Sequence, residues 1–174
     1  TITIQGADNA TDEEKKRLID QALIQLDINI ARIKSQDPVD QQALLNAQLD
    51  KVATYYISGD MQKTIDEYQS LQLSKAETPS YLLIMIADAH MSVQQPGSAI
   101  EILKEVTHRD PTNQRAQAAL FYAYLDSEQY PQAGQIIEDL ESGVTATQKT
   151  DQTPWQIKLA AMFEAYRNHL SAAQ

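Results

Sequence analysis

Apolar residues recur along this chain at helical spacing, in segments that each close at a proline, a glycine or a polar turn. Leu18, Ala22, Leu26, Ile30 and Ile33 form the first stripe and predict a leading helix over 11–36. Thr11-Asp12-Glu13-Glu14 opens it as a capping box, with three acids at the positive end of the helix dipole. Asp37-Pro38 is expected to end it and open the next helix, Asp37 as cap and Pro38 at the first helical position. Leu44, Leu45, Leu49, Val52, Tyr55 and Tyr56 then predict a helix over 41–57, Ser58-Gly59-Asp60 a turn, and Ile65, Tyr68 and Leu71 a shorter helix over 61–73.

Thr78-Pro79 starts the next unit, and the stretch 86–111, IADAHMSVQQPGSAIEILKEVTHRDP, reads as helix, tight turn, helix and proline stop. A helix over 113–125, a turn at Gln129-Tyr130-Pro131 and a helix over 132–140 follow. The polar stretch 142–153 predicts a loop, and Thr153-Pro154 a last helix to about Asn168, then a turn and a stub over 170–174. All six prolines fall at or beside predicted helix starts, and no sustained period-two alternation predicts a sheet. Residues 1–10, TITIQGADNA, are polar and read as a flexible tail.

These segments repeat. Ala99 and Ala133 lie 34 residues apart at matching points of second helices, and Thr64 holds the same point 35 residues before Ala99. Tyr56, Met91 and Leu125 recur at the same spacing near the ends of first helices. Such a helix–turn–helix repeat resembles the tetratricopeptide (TPR) family. Its pattern wants a small residue in the first helix, an aromatic three later, alanine early in the second helix and a closing proline. Ala87, Ala99, Leu103, Val106 and Pro111 supply that order, with His90 at the aromatic position. Tyr55 and Tyr68 serve the preceding unit, where Val52 and Thr64 replace small residues. Tyr124 and Ala133 serve the following one, with Phe121 in the small position, and Ala160, Phe163 and Ala172 fit a fourth. Small residues let paired helices approach closely, which ridge-into-groove packing requires.

The expected fold is therefore all-α, a TPR α-α superhelix of about three to four repeats behind a long N-terminal helix. The array spans 38–174, with repeats over about 41–76, 79–111, 112–142 and a truncated 153–174. A plain antiparallel helical bundle is the alternative. The short last repeat reads as part of a longer array.

A closer resemblance lies at Leu120–Ala133, LFYAYLDSEQYPQA. It is similar to the TPR segment of the outer-membrane porins, of the PgaA/HmsH type, that export poly-β-1,6-N-acetyl-D-glucosamine (PNAG). The order of features agrees from Asp37-Pro38 to Thr153-Pro154-Trp155. The resemblance implies the periplasmic, soluble portion of an outer-membrane protein, with a β-barrel expected downstream. In that family the segment binds the exported biofilm polysaccharide, or the periplasmic enzyme that partly de-N-acetylates it.

Charge narrows the partners. A net charge of −10 disfavours nucleic acid and anionic lipid, and favours a cationic partner at long range. The absence of cysteine removes thiol chemistry. No apolar run is long enough for membrane insertion, and no nucleophile elbow, P-loop, dinucleotide fingerprint or zinc-binding helix occurs. His90, His108 and His169 are scattered, His90 at a packing position. No catalytic residue, metal site or cofactor is expected.

First helices of a TPR array line a groove. Spacing places Tyr56, Tyr81, Asp88, Arg115, Tyr122, Asp126 and Glu164 on that face. Tyrosine rings can lie against sugars while carboxylates take hydroxyl or ammonium groups, and a partly deacetylated glucosamine polymer offers both. The expectation is a scaffold for that glycan, for the de-N-acetylase, or for both. A generic TPR protein adaptor is the alternative, although Arg115 alone is a weak clamp for a peptide carboxylate.

Overall fold

A computed structural model describes residues 11–143 and 154–172. The helices are α1 (Asp12–Lys34), α2 (Gln41–Ser58), α3 (Met61–Ser70), α4 (Ser80–Ser92), α5 (Pro96–Arg109), α6 (Gln114–Asp126), α7 (Tyr130–Gly143) and α8 (Pro154–Ala172), with a 3-10 turn at Lys75–Glu77. No strand occurs among the described residues. The predicted tail over 1–10 and most of the 142–153 loop lie outside them.

Two compact units divide the chain between Leu73 and Ser74. In the first, α1 packs on α2 and α2 on α3. In the second, α4 to α8 pack in chain order, and the first helices also meet one another, α4 on α6 and α6 on α8.

Local chemistry sets the ends of these elements. Thr11 and Glu14 close the expected capping box, Glu14 N–H donating to Thr11 Oγ1 at 3.2 Å and Thr11 N–H to Glu14 Oε2 at 2.9 Å. The cap of α2 is Asp40, which accepts from Ala43 N–H at 2.9 Å, so the predicted cap at Asp37 is three residues too early. Asp37-Pro38 lies in the connection instead, and Asp40 sits next to the first turn that needs an acceptor. Tyr130-Pro131, expected as a turn, begins α7, because a proline in the first turn lacks only an N–H that would have no intrahelical partner. The expected turn and stub after Asn168 are also replaced: α8 runs on through Ala172, no glycine or proline interrupting that stretch.

The turn inside each hairpin recurs. Gly59, Gln94 and Glu128 all take left-handed backbone, with φ of 81°, 59° and 57°. Each follows a first helix and closes it with paired 5→2 and 6→1 bonds, such as Gln94 N–H to Met91 O and Gln95 N–H to His90 O. Only the first of the three uses glycine.

The alanines of the repeat behave as close-approach residues, since Ala87, Ala99 and Ala133 have no exposed surface. Thr64, in the same register, is also fully buried, and its hydroxyl donates to Asp60 O at 3.0 Å, which makes a polar residue tolerable there. Leu82, Leu83, Ile86, Leu103, Val106 and Phe121 complete the core of the second unit. His90 is buried, its Nδ1 hydrogen-bonded to Gln95 Oε1 at 2.8 Å. On α1 the stripe is shifted. Ile33 is buried and Ala22, Leu26 and Ile30 are half-buried, but Leu18 is 52% exposed, and Ile19 and Leu23 turn inward with the stripe.

Long polar side chains tie these helices together. Arg109, in the last turn of α5, donates to Thr78 O at 2.9 Å, to Lys75 O and to Glu105. It thereby fastens the 3-10 turn to α5. In the first unit Lys51 of α2 reaches Asp27 of α1 at 2.9 Å and Glu67 of α3 at 3.4 Å. Burial works against its charge, yet the Asp27 hydrogen bond and the Glu67 carboxylate outweigh it and hold the ammonium above the ordinary lysine range.

Candidate functional site

Seven residues on an α-helix make about two turns, so residues seven apart share a face about 10 Å along the axis. Tyr81 and Asp88 stand in that relation on α4, and Arg115 and Tyr122 on α6. Asp126, one further turn along α6, continues its line. The packing of α4 on α6 brings the two lines side by side, and Arg115 Nη2 lies 3.2 Å from Asp88 Oδ2. Along its own helix, Tyr81 is about two turns from Asp88, and Tyr122 about two turns from Arg115.

Both rings are outward-facing, Tyr81 at 52% and Tyr122 at 37% exposure. Tyr122 is backed by the buried Phe121 ring, edge to face at 5.2 Å between centroids. Met85 and Ala119 are half-buried along the same lines, and Asp126 and Glu164 are exposed. Surface rings on a rigid apolar backing, with carboxylates beside them, suit the docking of an extended polar ligand.

Of the positions proposed from spacing, the structure joins Asp88 to Arg115 and places Tyr81, Tyr122 and Asp126 on the same helix faces. Tyr56 lies in the first unit, half-buried on α2, at the repeat position held by Met91 and the buried Leu125. Ile57, beside it, occupies the register of Ser92 and Asp126 and is 56% exposed. Spacing missed Ile57 because an aliphatic residue in an apolar helix reads as core; its repeat register was the available signal.

Elsewhere, a shallow surface hollow of about 200 Å³ is lined by Tyr55, Lys63, Asp66, Glu67 and Ser70. Lys51 and Lys63 both approach the Tyr55 ring, at 5.9 and 5.8 Å from its centroid. Lys63 is also paired with Asp60 at 2.7 Å, so the cations around this hollow are already matched. Among the described residues no group of three or more His, Cys, Asp or Glu side chains is placed to hold a metal ion. None of the described helices is long and apolar enough to cross a membrane.

This architecture is shared with known repeat proteins. Residues 90–142 match the tetratricopeptide repeat family model. The fold is similar to a crystal structure of a single-substitution variant of nearly identical TPR-like repeats from Podosopora anserina, in a chain described as a kinesin light chain. That likeness has a TM-score of 0.67 at 19% identity and covers 91% of this chain and 84% of the other. The same protein without that substitution matches with the same TM-score and coverage at 18% identity. No curated protein matches the chain. The fold is thus all-α and built of TPR-like helix–turn–helix repeats.

Proposed function

We propose that this chain is a non-enzymatic adaptor that docks a partner protein along the α4/α6 face. The observation that carries the reading is the set of Tyr81, Asp88, Arg115, Tyr122 and Asp126 on two packed first helices. Exposed tyrosines offer contact area at low conformational cost, and the paired charges fix register. The net charge of −10 steers a basic partner surface. Capture of a candidate partner by the wild-type chain, and its loss with Tyr81→Ala and Tyr122→Ala, tests this. Undiminished capture by the doubly substituted chain rules the face out.

A second, narrower reading places this scaffold in the periplasm, as the soluble portion of an outer-membrane exporter of PNAG. Two features favour it: the resemblance over Leu120–Ala133, and the combination of exposed tyrosines with Asp88 and Asp126. The rings would lie on sugar faces and the carboxylates take hydroxyl or ammonium groups of a partly deacetylated chain. Weak, repeated contacts suit transport, since a tight site would stall the polymer. In this setting the protein partner is the periplasmic de-N-acetylase.

Much of the resembling segment is buried, including Phe121, Tyr124, Leu125 and Ala133, so it speaks for fold more than for ligand. NMR titration with β-1,6-linked glucosamine oligomers, fully acetylated and partly deacetylated, decides on the glycan. Unshifted Asp88 and Tyr122 signals with both oligomers would remove it. Pull-down of the de-N-acetylase at low and high salt decides on the enzyme, and a basic docking surface predicts salt-sensitive capture.

A further inference from the structure

Helix α1 presents two apolar faces and buries one of them. Ile33, with the half-buried Ala22, Leu26 and Ile30, turns toward α2. On the opposite side Ile24 and Ile28 are each 56% exposed, and Leu18, at the edge between the faces, is 52% exposed. Three of the six large apolar side chains that stand exposed among the described residues are on this one helix. Arg17, Gln21 and Ala31 share the open side, all exposed.

The charges on that side are arranged symmetrically. Glu14 and Arg32 are 18 residues apart, which is five full helical turns, so they lie on the same flank of the apolar stripe. Each is nine residues from Leu23, and Leu18 and Ile28 are each five residues from it. An antiparallel pair of α1 helices, related by a two-fold axis beside residue 23, sets like flank against like flank. Glu14 of one copy then faces Arg32 of the other, twice, and Leu18 faces Ile28, twice. A parallel two-fold pair would instead leave the two Glu14 at one level and the two Arg32 at another, on opposite flanks, with no Glu14–Arg32 contact.

We infer that α1 is a self-association surface, and that its occupant is a second copy of this chain packed antiparallel through Leu18, Ile24 and Ile28. A closed two-fold contact needs a patch complementary to itself, and the Glu14–Arg32 spacing supplies that complementarity. Within one copy, Glu14 Oε2 serves the capping box and Arg32 Nη2 donates to Asn29 Oδ1 at 3.0 Å, so the contact between copies uses their other polar atoms. The stripe is narrow and both copies carry a net charge of −10, so association belongs to the small, weak class of interfaces.

Sedimentation equilibrium of the full chain, from about 10 μM to about 1 mM in moderate salt, covers the range such an interface occupies. The expected result is a mass rising from 19.5 kDa toward twice that value. Ile24→Lys with Ile28→Lys abolishes the rise, and Arg32→Glu weakens the dimer about tenfold or more, with Glu14→Arg added to Arg32→Glu restoring it. Ile24, Ile28 and Arg32 are exposed, so unchanged helical circular dichroism is expected for their substitutions, while Glu14→Arg also opens the capping box and loosens the first turn of α1. The chain has no cysteine, which allows a direct check of direction. Mixed Leu18→Cys and Ile28→Cys chains should oxidise chiefly to the 18–28 heterodisulfide. A mass fixed at 19.5 kDa, a dimer indifferent to the lysine substitutions, or a predominance of 18–18 and 28–28 disulfides overturns the proposal.

Discussion

Asp88 on α4 and Arg115 on α6 are 27 residues apart in the chain and 3.2 Å apart in space, an ion pair that joins two first helices of the second unit. Their side chains are 34% and 57% exposed, so solvent screens most of the attraction. Replacing Asp88 by Asn or Arg115 by Ala should therefore cost about 1 kcal/mol of stability or less, with a coupling of about 0.2–1 kcal/mol in a double-mutant cycle. Partner capture should fall much further than stability does. Urea midpoints measured beside binding of the same variants separate the two; a stability loss equal to the binding loss would make the pair a structural tie only.

Left-handed backbone is costly for a residue with a side chain and nearly free for glycine. Gln94→Gly and Glu128→Gly should each stabilise the chain by about 0.5–1 kcal/mol, and Gly59→Ala should destabilise it by about as much or more. Additivity of the two glycine substitutions in urea melts would follow from their separation along the repeat.

Gly134 in α7 lies under Tyr166 of α8, where an added Cβ would stand 2.5 Å from the phenolic oxygen. Gly134→Ala is expected to cost about 1–2 kcal/mol, despite alanine's better helix propensity, because the ring has to move. In a Tyr166→Phe background the nearest atom is gone and the penalty should shrink. An equal penalty in both backgrounds would show that the phenol is not the obstacle.

Four carboxylates are held below their ordinary range by hydrogen bonds. Glu14 accepts from the Thr11 backbone and hydroxyl, Glu77 from the Ser74 hydroxyl and backbone, Asp60 from Lys63, and Glu105 from Arg109. A lowered native value means that the stabilisation is complete above the ordinary value, 4.5 for glutamate and 3.8 for aspartate, and is lost as pH falls through the native one. Lys51 is raised instead, so its contribution is complete below 10.5 and is lost as pH rises through its native value. The urea midpoint should thus fall at both extremes. Lys51→Met should flatten the alkaline limb.

Much of this architecture is local and could be read from residue order. The Thr11–Glu14 box, the Ala99 and Ala133 register and the prolines at helix starts each act within a few residues of themselves, so the chain alone sets the helices and their period. Where local signals competed, packing or backbone chemistry chose: Asp40 rather than Asp37 caps α2, Tyr130 begins α7, and α8 continues past Asn168. The candidate site was half legible. Seven-residue spacing put Tyr81 with Asp88 and Arg115 with Tyr122, because one helix fixes those pairs. Only the packing of α4 on α6 could join Asp88 to Arg115, and only burial could show that Ile57, Ile24 and Ile28 face outward. Periodicity names an apolar face without saying what covers it, and that was decided by which helices meet.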